Sequence, residues 1–246
     1  MIQAALNGGR TRREHSSLPV TPVQLAAEAA AAVQAGAGAI HLHVRNAKGK
    51  ETIAAGDVAR TLEAVRQAVP GVPISISTGA WIVPDPAERL RMVRSWTTLP
   101  DLASVNFHEP GAADLAVLLI SRGVGVEAGV LSAAAAQNLA RSGLASRTRR
   151  LLIEPLELEP DEAQHNLEAI LEVLTIARIE LPRLLHGYGA NAWPMLEQAL
   201  RRGWDTRIGF EDTLKLPDGS PAPNNAALVA AAVRLARRLA RSPRAD

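Results

Sequence analysis

The chain is predicted to fold as a single (β/α)8 barrel over residues 1–246. Three observations point there. Short apolar or β-branched runs alternate with segments of helical spacing. Eight such pairs follow one another, at about 30 residues per pair, close to the size of a closed eight-unit barrel. Polar residues gather at the C-terminal end of every run. Alternation of this kind implies parallel strands joined by right-handed crossovers.

Each element has its own justification. IQAALNGG at 2–9 reads as the first strand. Thr21 before Pro22 supplies an N-cap and a first-turn proline for the helix VQLAAEAAAAVQAG, which stops at Gly36. AIHLHVR at 39–45 and PISISTG at 73–79 are strands two and three, and Asp85-Pro86 opens the next clear helix, AERLRMVRSW. LASVNF at 102–107 is strand four. Helices stopping at Gly123, Gly143 and Gly203 lead into strands five (124–130), six (150–156) and eight (206–212), while RLLHGY at 183–188 is strand seven. The final VRLARRLARSPR reads as the eighth barrel helix running into a frayed tail. An open doubly wound sheet is the alternative. Its first turn would carry glycines for a dinucleotide, and Asn7-Gly8-Gly9-Arg10 does not complete G-x-G-x-x-G.

Composition narrows the function. Apolar residues at 47% and charged residues at 21% are those of a globular protein. There is no cysteine, so disulfides, thiol nucleophiles and cysteine-ligated zinc are excluded, and any metal must be held by His and carboxylates. The net charge is only +2 and aromatics make up 3%, too little for a nucleic-acid footprint or a base-stacking platform. No apolar run reaches membrane length and the first residues lack the pattern of a signal peptide, so a cytoplasmic setting is expected. The core is expected to consist of Ala, Leu, Val and Ile.

In a barrel the chemistry sits at the C-terminal strand ends. There lie Asn7, His41 and His43, Ser77 and Thr78, Asn106 and His108, Glu127, Glu154, His186, and Arg207 with Glu211 and Asp212. Residues two apart on a strand share a face, so His41 and His43 could be two ligands of one metal or two hydrogen-bonded interior histidines. Strands 8 and 2 both flank strand 1, which makes Glu211 the best third ligand. Two His and one carboxylate suit catalytic zinc or ferrous iron. Asp212 reads either as a cap or loop salt-bridge partner, or as a general base beside the metal. Ser77-Thr78-Gly79 is a turn or a pair of site hydroxyls. His186 is a fourth ligand, a substrate contact or part of a turn. The loop Arg10 to His15 is solvated or clamps an anion. Glu127 and Glu154 would face a cationic group on the substrate, should it carry one.

These pieces resemble the β-keto acid cleavage enzymes. The resemblance rests on Asn7-Gly8, Thr11 to Glu14, Leu18 to Pro22, Ala39 to Arg45, Ser77-Thr78-Gly79, Arg207 to Asp212 and Asn224 to Val229, and so runs from residue 2 to about 235. It implies a zinc-dependent barrel that converts a β-keto acid and acetyl-CoA into acetoacetate and a new acyl-CoA. It also implies that His41, His43 and Glu211 hold the metal, and that Asp212, supported by Arg207, removes the proton next to the keto group. Ser77 and Glu14 would line the substrate site, with Asn7, Thr78, Ser104 and Asn106 near it. Ser104 stands in the neighbourhood where the family uses a Thr after strand 4. The chain departs from the family in a short connection after strand 4 and in having no Asp at the end of strand 5. A metal-dependent hydrolase on the same barrel would instead place H-x-H on strand 1 and further His on strands 5 and 6. A non-catalytic barrel that binds a metal or metabolite is a third reading. Small-molecule partners, neither nucleic acid nor membrane, and a homo-oligomer are the expected setting.

Overall fold

A computed structural model describes residues 1–241. Eight parallel strands pair in chain order and close on themselves. They are β1 (Ile2–Ala5), β2 (Ala39–Leu42), β3 (Ile74–Ser77), β4 (Leu102–Asn106), β5 (Gly125–Val130), β6 (Arg150–Ile153), β7 (Arg183–Leu185) and β8 (Asp205–Ile208). The helices between and after them are α1 (Pro22–Gln34), α2 (Ala55–Ala68), α3 (Pro86–Arg94), α4 (Ala112–Ser121), α5 (Ala133–Ser142), α6 (Pro160–Ile176), α7 (Ala192–Arg201) and α8 (Asn225–Arg241). The tail expected to fray lies outside the described residues. No helix among the described residues is long and apolar enough to cross a membrane.

Local chemistry starts the helices where expected. Thr21 accepts from the Gln24 N–H, and the Gln24 side chain returns a bond to the Thr21 N–H, a reciprocal cap ahead of Pro22. Asp85 caps α3 through the Ala87 N–H. The strands are shorter than their sequence runs. Asn7, His43, Glu154, His186, Glu211 and Asp212 all fall just beyond a strand end, in the loops that crown the barrel.

The core has two parts of different chemistry. Between sheet and helices it is apolar, as composition implies, with Ile40, Leu42, Ile74, Ile76, Leu151 and Ile153 fully buried. The barrel centre is polar instead. Gln3 on β1 reaches Glu127 on β5 at 3.3 Å, a bond that can only cross the ring. Glu127 also accepts from Ser75 on β3, and from Arg150 on β6 at 2.8 Å. Arg150 extends to Asp205 on β8 at 3.2 Å. Branched apolar layers commonly fill this space; here ion pairs and hydrogen bonds fill it.

Candidate metal centre and active site

Register brings the two histidines and Glu211 together. Ala5 pairs with His41 and Ala4 with Ile208, so β2 and β8 flank β1 and end side by side with it. The turn after β8 then carries Glu211 back across β1, where its N–H donates to the Ala5 carbonyl at 3.2 Å. Two glycines permit this approach. A side chain at Gly8, whose φ is +53°, would collide with Glu211, and one at Gly209 would collide with the Ala5 backbone.

The Glu211 carboxylate lies 3.6 Å from His41 Nε2 and 3.3 Å from His43 Nε2. One ligand atom from each of the three residues falls within 4.8 Å of the others. Each ring is held through its other nitrogen: His41 Nδ1 is 3.2 Å from the Ser75 hydroxyl, and His43 Nδ1 is 2.5 Å from Glu51. The Ser75 hydroxyl donates to Glu127, so its oxygen accepts from His41 Nδ1–H and leaves Nε2 with a free lone pair. A carboxylate behind an imidazole fixes the tautomer in the same way at His43. Glu211 Oε2 is buried without a hydrogen-bond partner. This donor set fits a divalent metal: the His41 Nε2 lone pair, a His43 Nε2 whose proton a metal would displace, and a carboxylate oxygen without a hydrogen-bond partner, all in one place.

The charges are arranged accordingly. Burial disfavours the charged form of both rings. At His41 burial prevails, with Arg207 and His43 adding to it against Glu211, and the ring falls to about 4. At His43 the carboxylates of Glu211 and Glu51 outweigh burial and push the ring up to about 9. Burial would raise the Glu211 carboxyl, but Arg207, His43 and His41 hold it well below the usual carboxylate range.

Beside this triad Arg207 donates through Nη2 to Glu211 at 3.0 Å and to Asp212 at 2.8 Å, with Nε on Asp212 at 3.1 Å. Asp212 is fully buried and sits in the turn after β8, so it caps no helix. His186 Nδ1 lies 3.4 Å from Asp212, and its Nε2 lies 3.6 Å from Glu154. His186, Asp212 and Glu154 thus form a second cluster. The positive Arg207 guanidinium, 3.9 Å from Glu154, stands against it and disfavours a second cation there.

Other expected site residues are engaged elsewhere. The Asn7 amide donates to the His43 carbonyl at 2.9 Å and accepts from the His43 N–H at 2.8 Å, so it shapes the loop and is not free for substrate. The Thr78 hydroxyl is tied to the Ser104 carbonyl at 2.6 Å. The Asn106 amide donates to Glu109 at 3.0 Å. Glu127 is paired with Arg150 in the barrel centre. The Glu14 carboxylate is turned onto the Thr11 N–H at 2.8 Å and Arg10 at 3.0 Å, in an exposed loop. Ser77 and Ser104 are buried at adjacent, paired positions of β3 and β4. His108 is exposed.

Glu51 and Trp81 were not foreseen. Residues 43–52 form a small hairpin about Asn46–Gly49, with Arg45 opposite Glu51. Asn and Gly at the ends of that turn were the available signal. Trp81 stacks on the His43 ring at 6.0 Å and donates to Glu51 at 3.1 Å.

Comparison with known proteins is consistent with this geometry. A 3-keto-5-aminohexanoate cleavage enzyme from Fusobacterium nucleatum is 28% identical over 257 residues, covering 98% of this chain and 92% of its own. A 3-oxoadipate:acetyl-CoA acetyltransferase from Cupriavidus necator is 28% identical over 252 residues, covering 93% and 85%. Among solved structures, the apo form of ObcA superposes with a TM-score of 0.66 at 18% identity, over 89% of this chain and 61% of that one, a likeness of fold. The family model for the β-keto acid cleavage enzymes matches residues 1–149 and 161–245. The interval it omits holds β6 and Glu154. With the barrel closed and matched from end to end apart from that interval, the chain belongs to the β-keto acid cleavage enzyme family.

Proposed function

We propose that the chain exchanges acyl groups between a β-keto acid and acetyl-CoA, giving acetoacetate and a new acyl-CoA, at a divalent metal, zinc by preference. The carrying observation is the convergence of His41 Nε2, His43 Nε2 and the Glu211 carboxylate beside the Arg207–Asp212 pair. The acetyl-CoA acetyltransferase named among the relatives supports the choice of co-substrate.

His41, His43 and Glu211 would hold the metal. When bound it supplies Lewis-acid stabilisation of negative charge on the keto oxygen. Asp212 takes the proton from the carbon between the ketone and the carboxylate, and the bonding pair moves onto the keto oxygen. Arg207 holds Asp212 by one oxygen and leaves Oδ2 for that proton. The enolate carbon attacks the thioester carbonyl, and the CoA thiolate leaves. That thiolate then adds to the original keto carbon. Breaking the adjacent carbon–carbon bond releases the new acyl-CoA, and the acetoacetate enolate recovers its proton from Asp212. One base thus serves both proton transfers, and no net proton is consumed. Ser77 and Ser104, side by side on β3 and β4, are the hydroxyls available to the carboxylate of the keto acid.

The test is metal analysis of the purified protein, followed by incubation with a panel of β-keto acids and acetyl-CoA. Acetoacetate formed only when both substrates are present supports the reading. Metal-bound protein that forms none with any member of the panel rejects it.

A further inference from the structure

A cavity of about 1190 Å³ lies between α7 and α8, under the loop that follows β8. Its inner end is formed by Arg10, Gly189 and Thr213. Gly189 donates its N–H to the Asp212 carbonyl at 2.8 Å, and Thr213 follows Asp212 directly, so the cavity begins against the backbone of the proposed base. It then runs outward under the loop after β8, along Trp193 of α7 and Leu235 of α8. The Trp193 N–H is engaged by the Lys215 carbonyl at 2.8 Å, which leaves the ring as apolar wall.

The charges on this wall are unequal. Its two acidic side chains are occupied, Glu197 by Arg201 at 2.6 Å and Asp218 by Ser220 at 2.6 Å. Lys215 and Arg234 are exposed, and among the described residues their side chains have no ion-pair partner. An apolar trough with unpaired cations suits a long ligand with an aromatic, multiply phosphorylated end. The loops after strands 7 and 8 are also where barrels commonly bind phosphate.

We propose that this cavity holds the phosphorylated nucleotide arm of the acyl-thioester co-substrate. Lys215 and Arg234 contact its phosphates, Trp193 lies along its base, and the pantetheine chain points inward past Gly189 toward Asp212. A β-keto acid alone has no need of such a trough, whereas a thioester must bring its carbonyl to the base while its nucleotide stays outside the barrel. The inference rests on the acyl-transfer reading above and adds the place where the co-substrate binds.

The experiment compares the wild type with Lys215→Ala/Arg234→Ala, using coenzyme A as the probe. Both side chains are exposed and unpaired, so the variant should fold. Binding of coenzyme A should weaken about tenfold or more, the scale of losing charge-assisted hydrogen bonds, and its salt dependence should become shallower. The KM for acetyl-CoA should rise more than kcat falls. Pantetheine, which lacks the nucleotide, should bind both proteins alike. Exchange of the β-keto acid α-proton with deuterium needs no thioester and should keep its rate. Wild-type protein that exchanges the proton but does not bind coenzyme A rejects the acyl-transfer reading, and the site with it. Coenzyme A bound equally by both proteins overturns the site and leaves the reaction standing. A variant that loses proton exchange, or whose sedimentation shows a changed oligomeric state, also overturns it, because the cavity wall then serves the fold or a second copy of the chain.

Discussion

Arg207 grips Asp212 by a single carboxylate oxygen. Nε and Nη2 both point at Oδ1, at 3.1 and 2.8 Å, while Oδ2 is buried with no partner. Arg–carboxylate pairs are frequently bidentate, with one N–H on each oxygen. Holding one and freeing the other orients a carboxylate and keeps an acceptor for a proton.

Asp212→Asn should therefore keep the fold and the metal triad while slowing α-proton exchange by roughly 10²–10⁴, the contribution of a positioned base. Arg207→Lys should show a smaller loss, because an ammonium cannot supply the two-pronged grip. Deuterium incorporation followed by NMR measures both. Unimpaired exchange in the Asn variant would move the base to His186, whose Nδ1 lies 3.4 Å from Asp212.

On the proposed metal site, Glu51 is expected to tune metal affinity. Its carboxylate receives His43 Nδ1 at 2.5 Å and the Trp81 N–H at 3.1 Å. Glu51→Gln should weaken metal binding about 10- to 100-fold, as for other residues that orient a ligating histidine. The melting temperature of the metal-free protein should change little, since Glu51 lies at the rim. Chelator competition reads the affinity directly.

On the proposed reaction, substrate choice is expected to fall to Glu154. It is the partly exposed acid of the β6 end, whereas Glu127 is closed off by Arg150. Glu154→Gln should reorder the preference among keto acids that carry and lack an amino group, and Glu127→Gln should not. Steady-state kcat/KM across such a set decides the matter.

Glu127 instead governs stability. Burial alone would raise its carboxyl, but Arg150, then His41 and the Ser75 hydroxyl, hold it below 4.5. Its pKa is lower folded than unfolded, so its contribution is complete above about pH 4.5 and is lost as pH falls through the folded value. Glu127→Gln should cost about 3–5 kcal/mol at neutral pH, the scale for breaking a buried pair. It should also flatten the decline of stability below pH 4.5. Denaturant titrations at pH 3.5–7 test both.

Much of this molecule was legible in its residues. Short apolar or β-branched runs ending in polar groups located all eight strands, and strand order in a closed ring placed Glu211 near His41 and His43. The strands were drawn too long because the polar crown continues the same alternation into loops, as at His43 and Asp212. Parity tells which side chains enter the barrel but not how far from its mouth they lie, so the bonding of Glu127 to Arg150 was not legible. That cation is the first residue of β6, at the opposite end of the strand from the polar crown. Asn7 and Thr78 have the groups of substrate ligands, yet their partners are main-chain atoms of neighbouring loops, which no spacing rule reveals. Glu51 depended on a hairpin too short to register as an element.

The ionic barrel centre also bears on how this protein can change. Gln3, Ser75, Glu127 and Arg150 come from four strands, and each satisfies a group on another. Apolar interiors tolerate many combinations of similar volume, so they drift by single steps. A directional network admits replacement only in matched sets, because any one exchange strands a charge or a lone pair. Random mutagenesis under selection for folding should leave these four positions fixed while the helix-facing Ile, Leu and Val vary freely. A redesign that removes the network would have to exchange all four at once.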